Sequence, residues 1–67
     1  MLAQWIGDFV GKMHRNKVTI TQIAQEMGLT REYLSMILNG RREPHGIDKR
    51  LNAALDSIIE NNRQHGA

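Results

Sequence analysis

Closely spaced helix starts and helix ends in the middle of the chain constrain its fold more than any other feature. Thr19 and Gln22 have the spacing of a capping box, in which a hydroxyl and an amide satisfy free N–H groups at a helix start. Gly28 then marks a helix end, because glycine adopts positive φ without strain. Thr30 is a second N-cap, and an Asn-Gly pair ends the helix that follows it. This pattern predicts two short helices joined by a tight glycine turn.

The apolar residues of these two helices fit the helix-turn-helix unit. Ala24 provides the small residue that is needed where the helices cross, and Leu34 and Ile37 face inward from the second helix. Leu29 and Leu34 have the spacing of a hydrophobic staple around the second cap. The sequence therefore predicts a helix-turn-helix over residues 19–39.

A hydrophobic period of 3.6 residues predicts one helix before this unit and one after it. The first runs from about Leu2 to Arg15, and the last from about Ile47 to Asn61. A polar tail that frays is expected over residues 62–67. The expected fold class is all-α: a compact four-helix domain in which residues 1–67 form a single unit.

Composition and spacing argue against several classes of function. The chain has 67 residues and no cysteine, so no disulfide or thiolate zinc site holds it together. His14, His45 and His65 lie on separate segments without metal-ligand spacing, and no glycine loop suited to phosphate is present. We therefore expect no enzyme activity, no metal and no cofactor. The lack of a long apolar stretch and of an export signal predicts a cytoplasmic protein without a membrane span.

The distribution of charge is more informative than the net charge. Nine Lys and Arg against seven Asp and Glu give +2, which favours an anionic partner only slightly. Lys12, Arg15 and Lys17 cluster before the helix-turn-helix, and Arg41 and Arg42 follow it. Basic residues thus border the unit on both sides.

The stretch from Val18 to Pro44 resembles the phage repressor and Cro-like (Xre) DNA-binding domains. Its ending, Ile37-Leu38-Asn39-Gly40, is similar to the end of the recognition helix in lambda repressor. The resemblance implies a lambda-repressor-like fold and sequence-specific binding to a double-stranded DNA operator. It also implies a phage or mobile-element repressor or a Cro-like transcriptional regulator.

Helical geometry separates the outward face of the second helix from its inward face. The resemblance implies that the N-terminal residues on the outward face read base edges in the major groove. The expected base-reading residues are Arg31, Glu32, Ser35 and Met36. The expected phosphate-contacting residues are Lys17, Thr19, Thr21, Gln22, Thr30, Tyr33, Asn39, Arg41 and Arg42. The alternative for each of them is an ordinary solvated surface.

Two further expectations concern partners. Ile58 and Ile59 on the last helix, together with Trp5, are the apolar residues left over for a weak homodimer. The alternative function is a protein-binding helix-turn-helix module, such as an antirepressor or antitoxin, without operator recognition. A single acid, Glu32, next to Arg31 on the outward face favours DNA over such a partner.

Overall fold

The computed structural model describes residues 3–65, and this part of the chain contains four α-helices. They are α1 (Gln4–Arg15), α2 (Ile20–Met27), α3 (Arg31–Leu38) and α4 (Ile47–His65). The predicted all-α, four-helix architecture with a central helix-turn-helix is confirmed. Leu2, where the first helix was predicted to begin, lies outside the described residues, as do Gly66 and Ala67 of the predicted tail.

Both predicted N-caps are present. The Gln22 backbone N–H donates to Thr19 Oγ1 at 3.2 Å, and the Thr19 N–H donates to Gln22 Oε1 at 2.8 Å, which completes the capping box. At the start of α3, the Tyr33 N–H donates to Thr30 Oγ1 at 3.1 Å. The starts of α2 and α3 are therefore determined locally.

The first three helices end in the same way. The chain takes positive φ at Lys17 (57°), Gly28 (69°) and Gly40 (78°). In each case the next residue donates its N–H to the carbonyl five residues earlier at 2.9 Å, which is the Schellman arrangement. The predicted turn at Gly28 is confirmed. Lys17 takes the same conformation with a side chain present, at a cost of about 1–2 kcal/mol.

Side chains from all four helices and from the α1–α2 connection form one core. Its buried members are Ile6, Phe9, Met13, Val18, Ile23, Ala24, Leu34, Ile37, Leu38, Ile47, Leu51, Ala54, Leu55 and Ile58. The predicted inward face of α3 is therefore confirmed. The same holds for α4, where a period of 3.6 residues predicts an apolar stripe of Ile47, Leu51, Ala54, Leu55 and Ile58.

One of the two isoleucines predicted for an interface belongs to this core instead. Ile58 is only 7% exposed and packs with the other buried residues, so its prediction as an interface residue is wrong. The physical reason is that Ile58 continues the apolar stripe of α4 by one turn beyond Leu55, at a position next to α2. Ile59 and Trp5 remain half-buried at the edge of the core.

The fourth helix is longer than predicted. It continues past Asn61 to His65, so residues 62–65 of the expected tail are helical. Elongation of a formed helix carries no nucleation cost, and no glycine or proline interrupts this segment. Gln64 Nε2 also donates to Glu60 Oε1 at 3.3 Å, one turn earlier.

Two helices run alongside α4 in opposite directions. Trp5 of α1 lies beside Ile47, and Lys12 Nζ forms an ion pair with Asp56 Oδ1 at 2.7 Å, so α1 and α4 point the same way. The end of α2, at Met27, lies beside the middle of α4, and its first turn lies beside the last turns of α4. The C-terminal end of α4 is therefore close to the N-terminal end of α2.

The outer face of α1 contains Gly7 and Gly11, one turn apart. The sequence is compatible with an ordinary exposed face and with close approach of a partner's backbone at this surface. A Cβ added at Gly7 would meet no heavy atom within 4 Å in the described chain, and one at Gly11 would meet only the Arg15 side chain, at 3.3 Å. No element within residues 3–65 therefore requires glycine at either position.

Candidate nucleic-acid interface

The outward face of α3 brings three of the predicted base-reading residues together. Arg31, Glu32 and Ser35 line one shallow depression on the surface. On the opposite side of the helix, Leu34 and Ile37 are 0% exposed. The buried side chains therefore hold the helix against the core. Its first turns expose both hydrogen-bond donors and hydrogen-bond acceptors to solvent.

The same face continues to the end of α3. Asn39 Nδ2 donates to Ser35 Oγ at 3.3 Å, so the predicted phosphate contact and the predicted base contact lie one turn apart on one surface. Met36 is half-buried and leaves part of its side chain accessible beside them. The outward face of α3 thus forms a strip. It begins with the charged side chains of Arg31 and Glu32, continues past the apolar Met36 side chain and ends at the Asn39 amide.

At the start of α2, the hydrogen bonds of the cap determine which groups remain available. Thr19 Oγ1 accepts from the Gln22 N–H at 3.2 Å and donates to Gln22 Oε1 over a longer distance of 3.3 Å. Because Gln22 Oε1 is an acceptor in the cap, the Nε2 group of the same amide is its donor end. A phosphate oxygen requires such a donor. Thr21, between them, is exposed.

Thr30 and Tyr33, two of the predicted phosphate contacts, have structural roles in α3. Thr30 is its N-cap, and Tyr33 supplies the N–H that the cap satisfies. The Tyr33 ring is half-buried and packs against the core. Only the exposed part of each side chain is therefore accessible to a partner.

The predicted basic contacts are exposed. Lys17, Arg31, Arg41 and Arg42 all lie on the surface. Among the side chains that the structure describes, the ion pairs involve Lys12 and Arg63, and none involves these four groups. They are positioned around the ends of α2 and α3, where the helix-turn-helix meets solvent.

Other kinds of site receive no support from the described residues. Among the side chains that the structure describes, no group of three from His, Cys, Asp or Glu is arranged to hold a metal ion. None of the helices in this region has the length and apolar character needed to span a membrane.

Comparison with known proteins places the chain in a family. Residues 12–47, which include α2, α3 and the turn between them, match the model of a helix-turn-helix family. The match extends over more than half of the chain, and the protein therefore belongs to this helix-turn-helix family, which includes the Xre and Cro-like domains. Membership implies DNA binding and transcriptional regulation in a family that is typically non-catalytic. No curated protein and no solved structure showed significant similarity to the chain.

Proposed function

We propose that this protein is a sequence-specific regulator that binds a double-stranded DNA operator, of the phage or mobile-element repressor or Cro-like kind. The observation that supports the proposal is the shared depression of Arg31, Glu32 and Ser35 on a helix whose other side is buried. A rigid helix with polar N-terminal residues suits the major groove. Occupation of the operator would exclude polymerase or place the protein in contact with it.

Each base-reading residue has a chemically defined partner. The Arg31 guanidinium suits the O6 and N7 acceptors of guanine, and the Glu32 carboxylate accepts from the N4 amino group of cytosine. Ser35 donates or accepts, and Met36 contacts a thymine methyl group. These four side chains supply the sequence preference in the proposal.

The backbone contacts surround this strip and position it. They come from exposed cations, helix starts and the end of α3, and they carry no sequence information themselves. The residues that we assign to this role are Lys17, Thr19, Thr21, Gln22, Thr30, Tyr33, Asn39, Arg41 and Arg42. Such contacts require the protein to share a compartment with DNA, which fits the expected cytoplasmic location.

The base-reading role predicts a change in the preferred operator. Replacing Arg31, Glu32, Ser35 or Met36 singly by Ala should alter the preference at one or two positions, because a good bidentate base contact contributes about 1–3 kcal/mol. Nonspecific binding should persist. Selection of bound sites from random duplexes, repeated for each variant, measures the effect. Thr21→Ala is the control, since loss of a backbone contact should weaken binding and leave the preference unchanged.

The same selection distinguishes the alternative function. If all four variants recover the wild-type site, α3 does not read the major groove. If wild-type protein enriches no site at all, a protein-binding module such as an antirepressor or antitoxin becomes the better account.

We also propose weak self-association on the operator, through Ile59 at the edge of the core. Related domains bind half-sites about one helical turn apart, so a pair of subunits recognises a near-palindrome. Ile59→Asp should reduce cooperative binding and leave the fold intact, because this side chain is only half-buried. Sedimentation and binding curves measure the change, with Ala53→Asp, at an exposed position of α4, as the control. Identical behaviour of Ile59→Asp and wild type would remove this part of α4 from the interface.

A further inference from the structure

The last turn of α4 extends beyond the part of the helix that the core covers. Ile58 is the last core residue in α4, and the helix continues to His65. With a rise of 1.5 Å per residue, the Arg63 backbone lies about 7.5 Å farther along the axis than Ile58. The Arg63 side chain is 78% exposed. Packing against the core therefore does not account for this segment.

This end of α4 lies at the corner where α1 gives way to α2. Asn62 and Arg63 share one surface depression with Ile59 and with Asn16, which follows α1. Asn62 also lines a second depression, together with Gln22 in the first turn of α2. The corner itself contains Lys17, which is exposed and has an unusual positive φ. The end of α4 is thus next to the proposed phosphate contacts Lys17 and Gln22.

The chemistry of this surface is that of a phosphate contact. Its polar side chains are mainly amides, such as those of Asn16, Gln22 and Asn62, together with the Arg63 guanidinium. Ile58 and Ile59 are its apolar members. Arginine and amide groups are common donors to the oxygens of the DNA backbone. The Gln22 amide presents its donor end, because its oxygen is used in the capping box.

Few acidic groups lie near this surface, and they are poorly placed to compete with a phosphate for the Arg63 guanidinium. Glu60 Oε2 is 4.0 Å from Arg63 Nη1, and both side chains are more than half exposed. An exposed pair at this distance contributes little and leaves the guanidinium available. Glu26 lines the second depression, which Arg63 does not line, and Asp56 is paired with Lys12.

We propose that Asn62 and Arg63 form a second arm that binds the DNA backbone, at a phosphate next to the one bound by the start of α2. The proposal rests on the DNA-binding function proposed above and extends the contact surface to residues outside the helix-turn-helix. Both residues also lie outside residues 12–47, so the family match does not assign them. The arm gives α4 a role in binding as well as in the core.

The test measures binding to a labelled mixed-sequence duplex, several helical turns long, as a function of salt concentration. Loss of one phosphate contact lowers the slope of log affinity against log salt by about 0.9, which is about 5- to 10-fold in affinity at about 0.1 M salt. We expect this change for Arg63→Ala. Asn62→Ala should lower the affinity with little change in the slope, because a neutral amide releases no counterion. Glu60→Gln should strengthen binding, since it removes the acid nearest to the arm.

Arg50→Ala is the matched control, because it removes the same charge from the same helix. Arg50 lies beside Met27, at the opposite end of α2 from the proposed arm. If Arg63→Ala binds with the wild-type slope, or loses no more than Arg50→Ala, the arm does not exist and the proposed function is unaffected. If wild-type protein shows no salt-dependent binding to the duplex, the arm and the proposed function both fail. Thermal melting of each variant should match wild type, since these side chains are exposed.

Discussion

Gly28→Val is expected to destabilise the folded domain by about 1–3 kcal/mol and to weaken DNA binding. Gly28 joins α2 to α3 with a φ of 69°, a conformation that a β-branched residue adopts only with strain. A Cβ at this position would meet no heavy atom within 4 Å in the described chain. The predicted loss is therefore a property of the backbone and not of a steric clash.

Gly28→Asn separates backbone strain from any other effect of a side chain at this turn. Asparagine tolerates the left-handed conformation, so this variant should lose much less stability than Gly28→Val. Thermal unfolding followed by circular dichroism measures both. Because a small domain has a free energy of unfolding of about 5–15 kcal/mol, the valine variant should melt at a clearly lower temperature. An unchanged melting temperature for Gly28→Val would show that the turn is placed wrongly.

Arg41→Ala combined with Arg42→Ala is expected to weaken binding to every duplex alike. Both residues are exposed on the loop after α3. If each contacts one phosphate, the salt slope should fall by about 1.8 in total, which is about 60-fold in affinity at about 0.1 M salt. The selected operator sequence should stay the same, because backbone contacts do not distinguish bases. Salt-dependent binding measurements on specific and nonspecific duplexes provide the test.

The control for this double variant removes an equal charge from a neighbouring part of the surface. Lys49→Ala combined with Arg50→Ala changes two adjacent exposed residues on α4. Its effect should be limited to the long-range electrostatic attraction, which is small at this salt concentration. If the two double variants lose affinity equally, the loop makes no specific contact with the backbone.

Much of the helix-turn-helix could be predicted because its ends depend on local chemistry. The Thr19 and Thr30 caps and the Gly28 turn involve groups that are only a few residues apart in sequence. Such signals act before any tertiary contact forms, so residue types and spacing are sufficient to find them. The inward face of α3 could be predicted equally well, because an amphipathic helix with a period of 3.6 residues has one apolar side.

The roles of α4 could not be predicted in the same way. A period of 3.6 residues does place Ile58 on the apolar stripe of α4 and Ile59 beside it, and the structure buries Ile58 and leaves Ile59 half-buried. Asn62 and Arg63 read as a polar tail, and no local pattern relates them to residues in the α1–α2 corner. The paths of α1 and α2 along α4 bring these distant parts of the chain together.

The sequence by itself therefore determined where α2 and α3 begin and end and which face of α3 is polar. These features follow from hydrogen bonds and φ preferences within a few residues. Only the tertiary structure decided which polar residues of α4 adjoin the start of α2. The reason is physical: their proximity depends on the relative placement of whole helices, and this placement is set by contacts between residues far apart in the chain.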